Sequence, residues 1–530
     1  MPLQKLQLRP GVNRESTTLS NEGTWFEMDK VRFRSGYPEK IGGWVKDNGP
    51  NTSALQPSTG TLWGVCRSLW NWLNLAGFNL MGLGTNLKYY IQNGSGGGFY
   101  DVTPLRETAT GVANAFTTNT ATNSGGQTTL VINDAGHGAQ TGDFVTISAT
   151  SGTVNGVLAA NIDGEHQITY ISSGTYSIVV TGTASSSGTP AVSATFAYQI
   201  TTGSAIYTSN VGWGAGGWGG FYSSSTPTGW GSPAPAGLGI GQQLRLWSES
   251  NFGQNLVLNP RGGALYYWAV DTSPATFNRA QILSPTNTNT QNSIQYWLTD
   301  ADCPTVCNLV MVSDASRFVI AFGCNDYGSA TLDPLLVRWS DAESVLVWTP
   351  TETNDAGSYR LSHGSEIVGA MQARQEILIW TDAALYSMQF LGPPDIWGFQ
   401  ILADNISIVG PNAMATAANI TYWMGLDKFY MYSGRVETLY CPLRQYIFGD
   451  INLQQQYQFF ASTNEGFNEV WWFYCSANST TIDRYVIYNY AEDIWYYGTM
   501  GRTAWIDSGL NLYPLAATYS NNLVFHELGV

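Results

Sequence analysis

The sequence predicts an all-β protein: a β-propeller of about six four-stranded blades with an inserted small β-sandwich or barrel domain. Three observations predict it. One hairpin recurs along the chain, aromatic residues and glycine are abundant while charge is scarce, and one stretch of about 90 residues has a texture of its own.

The hairpin is an apolar strand, a turn of small or polar residues, and a second strand opening on an aliphatic-aromatic or doubly aromatic pair. It is seen at Phe78 to Leu83 with Leu87 to Tyr90, and at Leu256 to Leu258 with Leu265 to Trp268. It returns at Ile377 to Trp380 with Leu385-Tyr386, at Ile420 to Met424 with Phe429 to Tyr432, and at Leu515 to Tyr519 with Leu523 to Phe525. Looser copies lie at Arg317 to Phe322 and Val470 to Tyr474. Self-similar units at a spacing of about 40 to 60 residues are the mark of propeller blades, each of which buries its apolar faces only against its neighbours.

Composition agrees. Aromatics make up 13% of the 530 residues and glycine contributes 58, which suits pleated strands and positive-φ turns. Only 12% are charged, about half the usual share for soluble proteins. The formal charge of -15 argues against a reader of nucleic-acid sequence, which needs a basic face to neutralise phosphates.

Taken in chain order, residues 1–106 read as an N-terminal segment and the first blade or blades. The first 50 residues hold eight of the 23 Lys and Arg, among them Arg9, Arg14, Arg32 and Arg34, which are candidate contact residues. Met1 to Lys5 leads into polar sequence without the apolar core of a signal peptide, so export is not expected. Leu62 to Leu83 is apolar but broken by Arg67, Asn71 and Asn74, and reads as blade strands rather than a membrane span.

Residues 107–197 read as the insert. Thr128 to Ile132, Phe144 to Ile147 and Tyr176 to Val180 alternate as short strands between turn clusters, and no Lys or Arg occurs from Glu107 to Leu244. Residues 198–530 read as the rest of the propeller. Gly212 to Phe221 and Gly229-Trp230-Gly231 are too rich in glycine for regular strands. Their Trp213, Trp218 and Trp230 either plug local gaps or form a contact loop, since aromatic anchors are enriched at interfaces. Pro285 to Ser293 reads as a loop, and Asp450 to Phe460 as one short amphipathic helix.

The residues point to no enzyme and to no metal or cofactor. His137, His166, His363 and His526 read as turn or surface histidines, for none has a nucleophile and an orienting partner in pattern. No nucleophile elbow, phosphate-cradling loop or His-Glu-x-x-His is present. Cys303 and Cys307 have a metal-like spacing but no second pair, so the six cysteines read as free buried thiols. Ser340 to Trp348 approaches a sialidase-type Asp box but lacks its glycine, leaving Asp341 and Glu343 as solvated turn residues.

The most specific run is Arg338-Trp339-Ser340-Asp341, Trp348-Thr349-Pro350-Thr351, Ala356 to Leu361 and Gly364 to Gly369. It resembles tail proteins of tailed bacteriophages, the β-propeller nozzle or hub proteins that close the distal tail tube of short-tailed phages. Leu385 to Gly392, Tyr422 to Gly425, Leu8 to Asn13 and Lys30 to Lys40 extend the resemblance over most of the chain outside the insert. It implies a virion structural protein, assembled in the host cytoplasm as a ring of six copies. Its partners would be an adaptor or portal complex, tail fibres, and viral DNA that passes without sequence-specific binding. The chain stops at His526 to Val530, just after a hairpin where such proteins continue. Its last blade is then either incomplete or closed by the N-terminal segment. The other open reading is a receptor-binding propeller whose Trp213, Trp218 and Trp230 stack on host glycans. The acidic balance has two readings: a conduit wall that does not grip phosphates, or simple solubility.

Overall fold

A computed structural model of the chain describes residues 8–17, 19–47, 61–94, 97–207, 222–223, 226–227, 244–270, 277–283, 290–291, 294–295, 302–314 and 316–529. Seven four-stranded antiparallel sheets follow one another as the blades of a β-propeller. Blade 1 is Cys66–Leu73, Asn79–Thr85, Tyr89–Asn93 and Phe99–Asp101, and blade 2 runs from Trp247–Phe252 to Gln281–Ile282. Blades 3 to 6 open on Cys307–Val312, Ile367–Gln372, Met414–Ala417 and Phe460–Asn464. Blade 7 is Ala504–Ile506, Leu515–Ala517 and Leu523–Leu528, with Gly43–Lys46 as its outer strand. The first strands stand side by side around an axis, and Ala504–Ile506 packs against Cys66–Leu73, which closes the circle.

Each recurring hairpin is the second and third strand of one blade, and the two looser copies supply the second strands of blades 3 and 6. These strands are covered by sheet neighbours at both edges and by adjacent blades on both faces. Val319–Asn325 and Glu469–Tyr474 are therefore buried at every position. Aromatic pairs join successive blades: Trp72 with Trp268, Phe318 with Trp397, Trp380 with Trp423, Tyr422 with Tyr488, and Trp471 with Trp505. Each such pair contributes about 0.5–1.5 kcal/mol beyond the burial of its rings.

The blade count is seven, one more than the expected six. The additional blade is assembled from both ends of the sequence. Residues 8–17 and 19–29 run along the edge of blade 6, where the Val12 amide donates to Trp495 O at 2.8 Å and the Thr499 amide to Asp29 at 2.7 Å. A hairpin, Val31–Arg34 with Tyr37–Lys40, follows, and Gly43–Lys46 then pairs with Leu523–Leu528. An edge that would otherwise be left open at the chain end is thus covered by the N-terminal segment.

The insert consists of two four-stranded sheets between Leu105 and Gln199. Phe116, Leu130, Ile132 and Ile178 of one sheet share a core with Val145, Ile147 and Phe196 of the other, which makes it a sandwich. At 450–460 the expected amphipathic helix is instead a 3₁₀ helix, Leu453–Gln458, kinked at Gln455, because Gln455 and Gln458 turn into buried hydrogen bonds. Among the described residues no helix is long and apolar enough to cross a membrane.

Candidate functional site

The first strands of all seven blades line one axial cavity of about 830 Å³. Its wall is mainly apolar, with Leu69, Leu309, Met311, Met371 and Trp505, and exposed Trp70, Asp314 and Arg317 mark its open rim. At the opposite end Arg67, 5% exposed, donates through Nη2 to Ala205 O at 2.7 Å and to Gln458 Oε1 at 2.8 Å. Gln455 exchanges two hydrogen bonds with the Tyr207 backbone, and the Tyr519 hydroxyl donates to Gln458 Oε1 at 3.1 Å. Blades 1, 6 and 7 and the segment after the insert are tied together by this polar knot at the Arg67 end.

Glu249 stands on the first strand of blade 2, where alternation points Trp247, Glu249 and Asn251 toward blade 1. Trp247 Nε1 donates to Thr85 O at 2.8 Å, and Asn251 accepts from Trp70 Nε1 at 2.6 Å. Gly84 makes room between them, since a Cβ there would sit 2.4 Å from the Trp247 ring. Glu249 Oε1 accepts from the Ser68 hydroxyl. The buried Tyr89 hydroxyl lies against the same carboxylate. Burial pushes the Glu249 carboxyl up to about 7, with the Ser68 and Tyr89 hydroxyls opposing the shift.

Of the arginines singled out in the sequence, Arg9 and Arg34 are exposed. Arg14 is half-buried, its guanidinium 4.1 Å from the Tyr446 ring centre and 4.5 Å from that of Phe26, and it donates to Phe26 O at 3.0 Å. Arg32 corrects the expectation of a contact surface. It is 1% exposed and forks between two carboxylates of its own chain, reaching Glu469 through Nε and Nη2 at 3.0 Å and Glu527 through Nη1 at 2.8 Å. Glu469 also accepts from Trp471 Nε1 at 2.9 Å and from the Tyr496 hydroxyl. Burial raises the Glu469 carboxyl while Arg32 opposes the rise. Glu527 has a left-handed φ of 59°, which costs about 1–2 kcal/mol but aims its carboxylate at Arg32 and the Gly42 amide. Arg32 therefore clamps the N-terminal segment onto blades 6 and 7. Trp213, Trp218 and Trp230, and most of Pro285 to Ser293, lie outside the described residues.

Sequence reasoning missed the junction between insert and propeller. Lys88, 1% exposed, donates to Asp101 at 2.8 Å and to Glu165 of the insert, with its ammonium 4.4 Å from the Phe144 ring centre. Arg279 and Lys88 hold the buried Asp101 carboxyl well below the usual range despite its desolvation. Absence of Lys and Arg in the insert was the available signal, because its acids then need partners outside it.

The histidines are structural in their contacts. His526 corrects the turn-or-surface reading, as it is buried within a strand; His137 stays in its glycine-rich turn but is buried there, bonding Ser172 O and the Ala139 amide. His526 accepts from Arg502 Nε at 2.9 Å, between Trp44 and Trp505, and burial beside that guanidinium drives its basicity far down. All six cysteines are buried and free. Among the described residues no cluster of His, Cys, Asp and Glu has the makeup of a metal site.

No protein-family model matches this chain, and no curated protein does. Solved structures similar to it include Hsv2 of Kluyveromyces lactis, at 10% identity and a TM-score of 0.31 over 54% of this chain and 73% of that one. Another is a catalytically inactive virginiamycin B lyase from Staphylococcus aureus with quinupristin, at 8% identity and 0.30 over 54% and 87%. A third is phage phi92 endosialidase, at 10% identity and 0.19 over 83% and 55%. At such scores none of them carries an argument about function, and the propeller rests on the seven sheets around one axis.

Proposed function

We propose that this chain is a structural subunit of a bacteriophage tail, which with further copies of itself, six in all, forms a ring at the distal end. The ring would retain the genome and give it passage during ejection. The observation that carries this reading is the use made of the run from Arg338 to Gly369, the stretch on which the resemblance to tail nozzle proteins is most specific. Arg338 and Trp348 are fully buried, Arg338 tied to Asn325 O and Asp302 O, and Trp339 and Leu361 sit in the core shared by blades 3 and 4. The signature thus supplies packing residues of blades 3 and 4, as a scaffold requires, beside exposed ones such as Thr351 and Ser358 to Arg360.

The bore of a single propeller is too small for the cargo. A duplex about 20 Å across that rises ~3.4 Å per base pair occupies roughly 1,000 Å³ for each pair, against a whole axial cavity of about 830 Å³. Passage in this proposal therefore runs between subunits, along the axis of the ring. Electron cryomicroscopy of purified virions tests it: the expected result is a closed ring around a channel of roughly 20 to 40 Å. A chain missing from virions, or present there only as separate monomers, refutes it.

A further inference from the structure

We propose that the axial cavity is a binding site for a small organic cation, a primary amine on an apolar body, with Glu249 as its anionic anchor. The inference is independent of the scaffold reading and concerns a single propeller.

The charges on the wall choose the ligand's sign. All three cavity-lining arginines have protein partners: Arg67 holds Ala205 O and Gln458 through Nη2, its unbonded Nε and Nη1 being buried away from the open space, Arg261 holds Val368 O at 3.1 Å, and Arg317 pairs with Glu343. The two carboxylates do not have cationic ones. Glu249 has only the neutral hydroxyls of Ser68 and Tyr89 against it, and Asp314 stands exposed at the rim without an ion pair among the described residues. Every group packed on Glu249 leaves it without a countercharge. Blade 1 presents Cys66, Ser68 and Tyr89, while the Arg67 guanidinium turns away to Gln458. Cys307–Val312 of blade 3 carries no charged residue.

The rest of the wall chooses the body. Leu69, Leu309, Met311 and Met371 offer apolar surface, Trp70 adds an aromatic rim, and about 830 Å³ falls in the range of small-molecule sites. A hard metal ion would ask for six or more oxygen ligands, which one carboxylate among methionines does not offer. An ammonium group donates three hydrogen bonds, and the first strands, which have a sheet neighbour on one edge only, leave their inner backbone edges as further acceptors. Aromatic faces favour the same sign of charge.

Titration calorimetry on the full chain with hexylamine, hexanol and hexanoate tests this. Hexylamine is expected to bind and the other two not. Because the carboxyl loses its proton near pH 7, hexylamine should bind roughly tenfold more tightly at pH 8 than at pH 6. Glu249→Gln should weaken binding at least about tenfold and abolish the pH dependence. Met371→Trp, which fills the cavity and leaves the carboxylate, should also abolish binding and keeps the test valid if the first variant folds poorly. Equal binding of hexanol, preference for hexanoate, or unchanged binding in either variant overturns the proposal.

Discussion

The seam that closes the propeller gives the most direct test of the packing argument. Arg32→Ala removes a guanidinium that is 1% exposed and leaves Glu469, 0% exposed, with no countercharge. Breaking a buried pair from one side costs about 3–5 kcal/mol. The lower end applies, since Glu469 keeps neutral donors in Trp471 and Tyr496 and Glu527 lies nearer solvent. A loss of about 3 kcal/mol corresponds to roughly 150-fold more frequent opening. Hydrogen exchange of Gly43–Lys46 and of its partner strand Leu523–Leu528 should accelerate by that factor while Val319–Asn325 in blade 3 stays unchanged. Removing the most deeply buried pair, as Arg32→Met with Glu469→Gln, should restore opening to within ~1 kcal/mol of the parent, because only Glu527, nearer solvent, is then left without its partner. A change below ~1 kcal/mol in Arg32→Ala, or an acceleration equal in all blades, refutes the clamp.

Two further perturbations address the cavity and the insert. Glu249 has its carboxyl raised from 4.5 to about 7 in the folded chain, so the fold binds the extra proton between those values. Stability from this group is complete below pH 4.5 and is lost as pH rises to 7. Glu249→Gln should therefore gain on the parent chain by about 2 kcal/mol at pH 8, after discount for its contact with the cavity, and by nothing at pH 4; thermal melts giving the same difference at both pH values would contradict it. Lys88→Met should loosen the insert by about 2–3 kcal/mol, as Glu165 and Asp101 lose a buried ammonium. Faster proteolytic nicking near Arg106 or Gln199, with blade exchange unchanged, is the expected readout, and an unaltered digestion pattern counts against the junction.

The sequence made the middle of each blade legible and its edges opaque. Val470 to Tyr474 and Ile377 to Trp380 are buried on both faces, so their apolar runs are continuous and stand out. The first strands carry a weaker signal: Trp247–Phe252 places Ser, Glu and Asn at the cavity, and its alternation serves two different blades. Seven copies of the hairpin were visible, yet the seventh blade was uncertain because its fourth strand comes from Gly43–Lys46, far from its partner Leu523–Leu528 in the chain. Glu249 escaped notice for the same reason. A carboxylate gains meaning only once Ser68 and Tyr89 are brought to it from blade 1. Basic residues near the N terminus suggested a contact surface, and for Arg32 the partner proved to be its own chain.

That inward use of charge bears on how the proposed ring would meet DNA. Lys and Arg are almost never fully buried in ordinary domains, yet Arg32, Arg67, Lys88, Arg338 and Arg502 are each at most 6% exposed here. Each secures a joint: the closing seam, the polar knot on the axis, the insert, blade 3, and the His526 stack of blade 7. Among the described residues three carboxylates, Asp47, Asp143 and Glu469, are buried as deeply. Among the described residues burial thus withdraws more positive than negative charge from the exterior. Each Lys or Arg drawn inside is one phosphate contact fewer on any outer wall, and affinity for a passing duplex falls with every contact removed. Exposed cations such as Arg9 and Arg34 belong to the N-terminal segment that runs along blade 6 and closes blade 7. A channel bounded by other blades would let the duplex slide, whereas one bounded by this segment would hold it, so the orientation of blade 7 in the ring decides between conduit and brake.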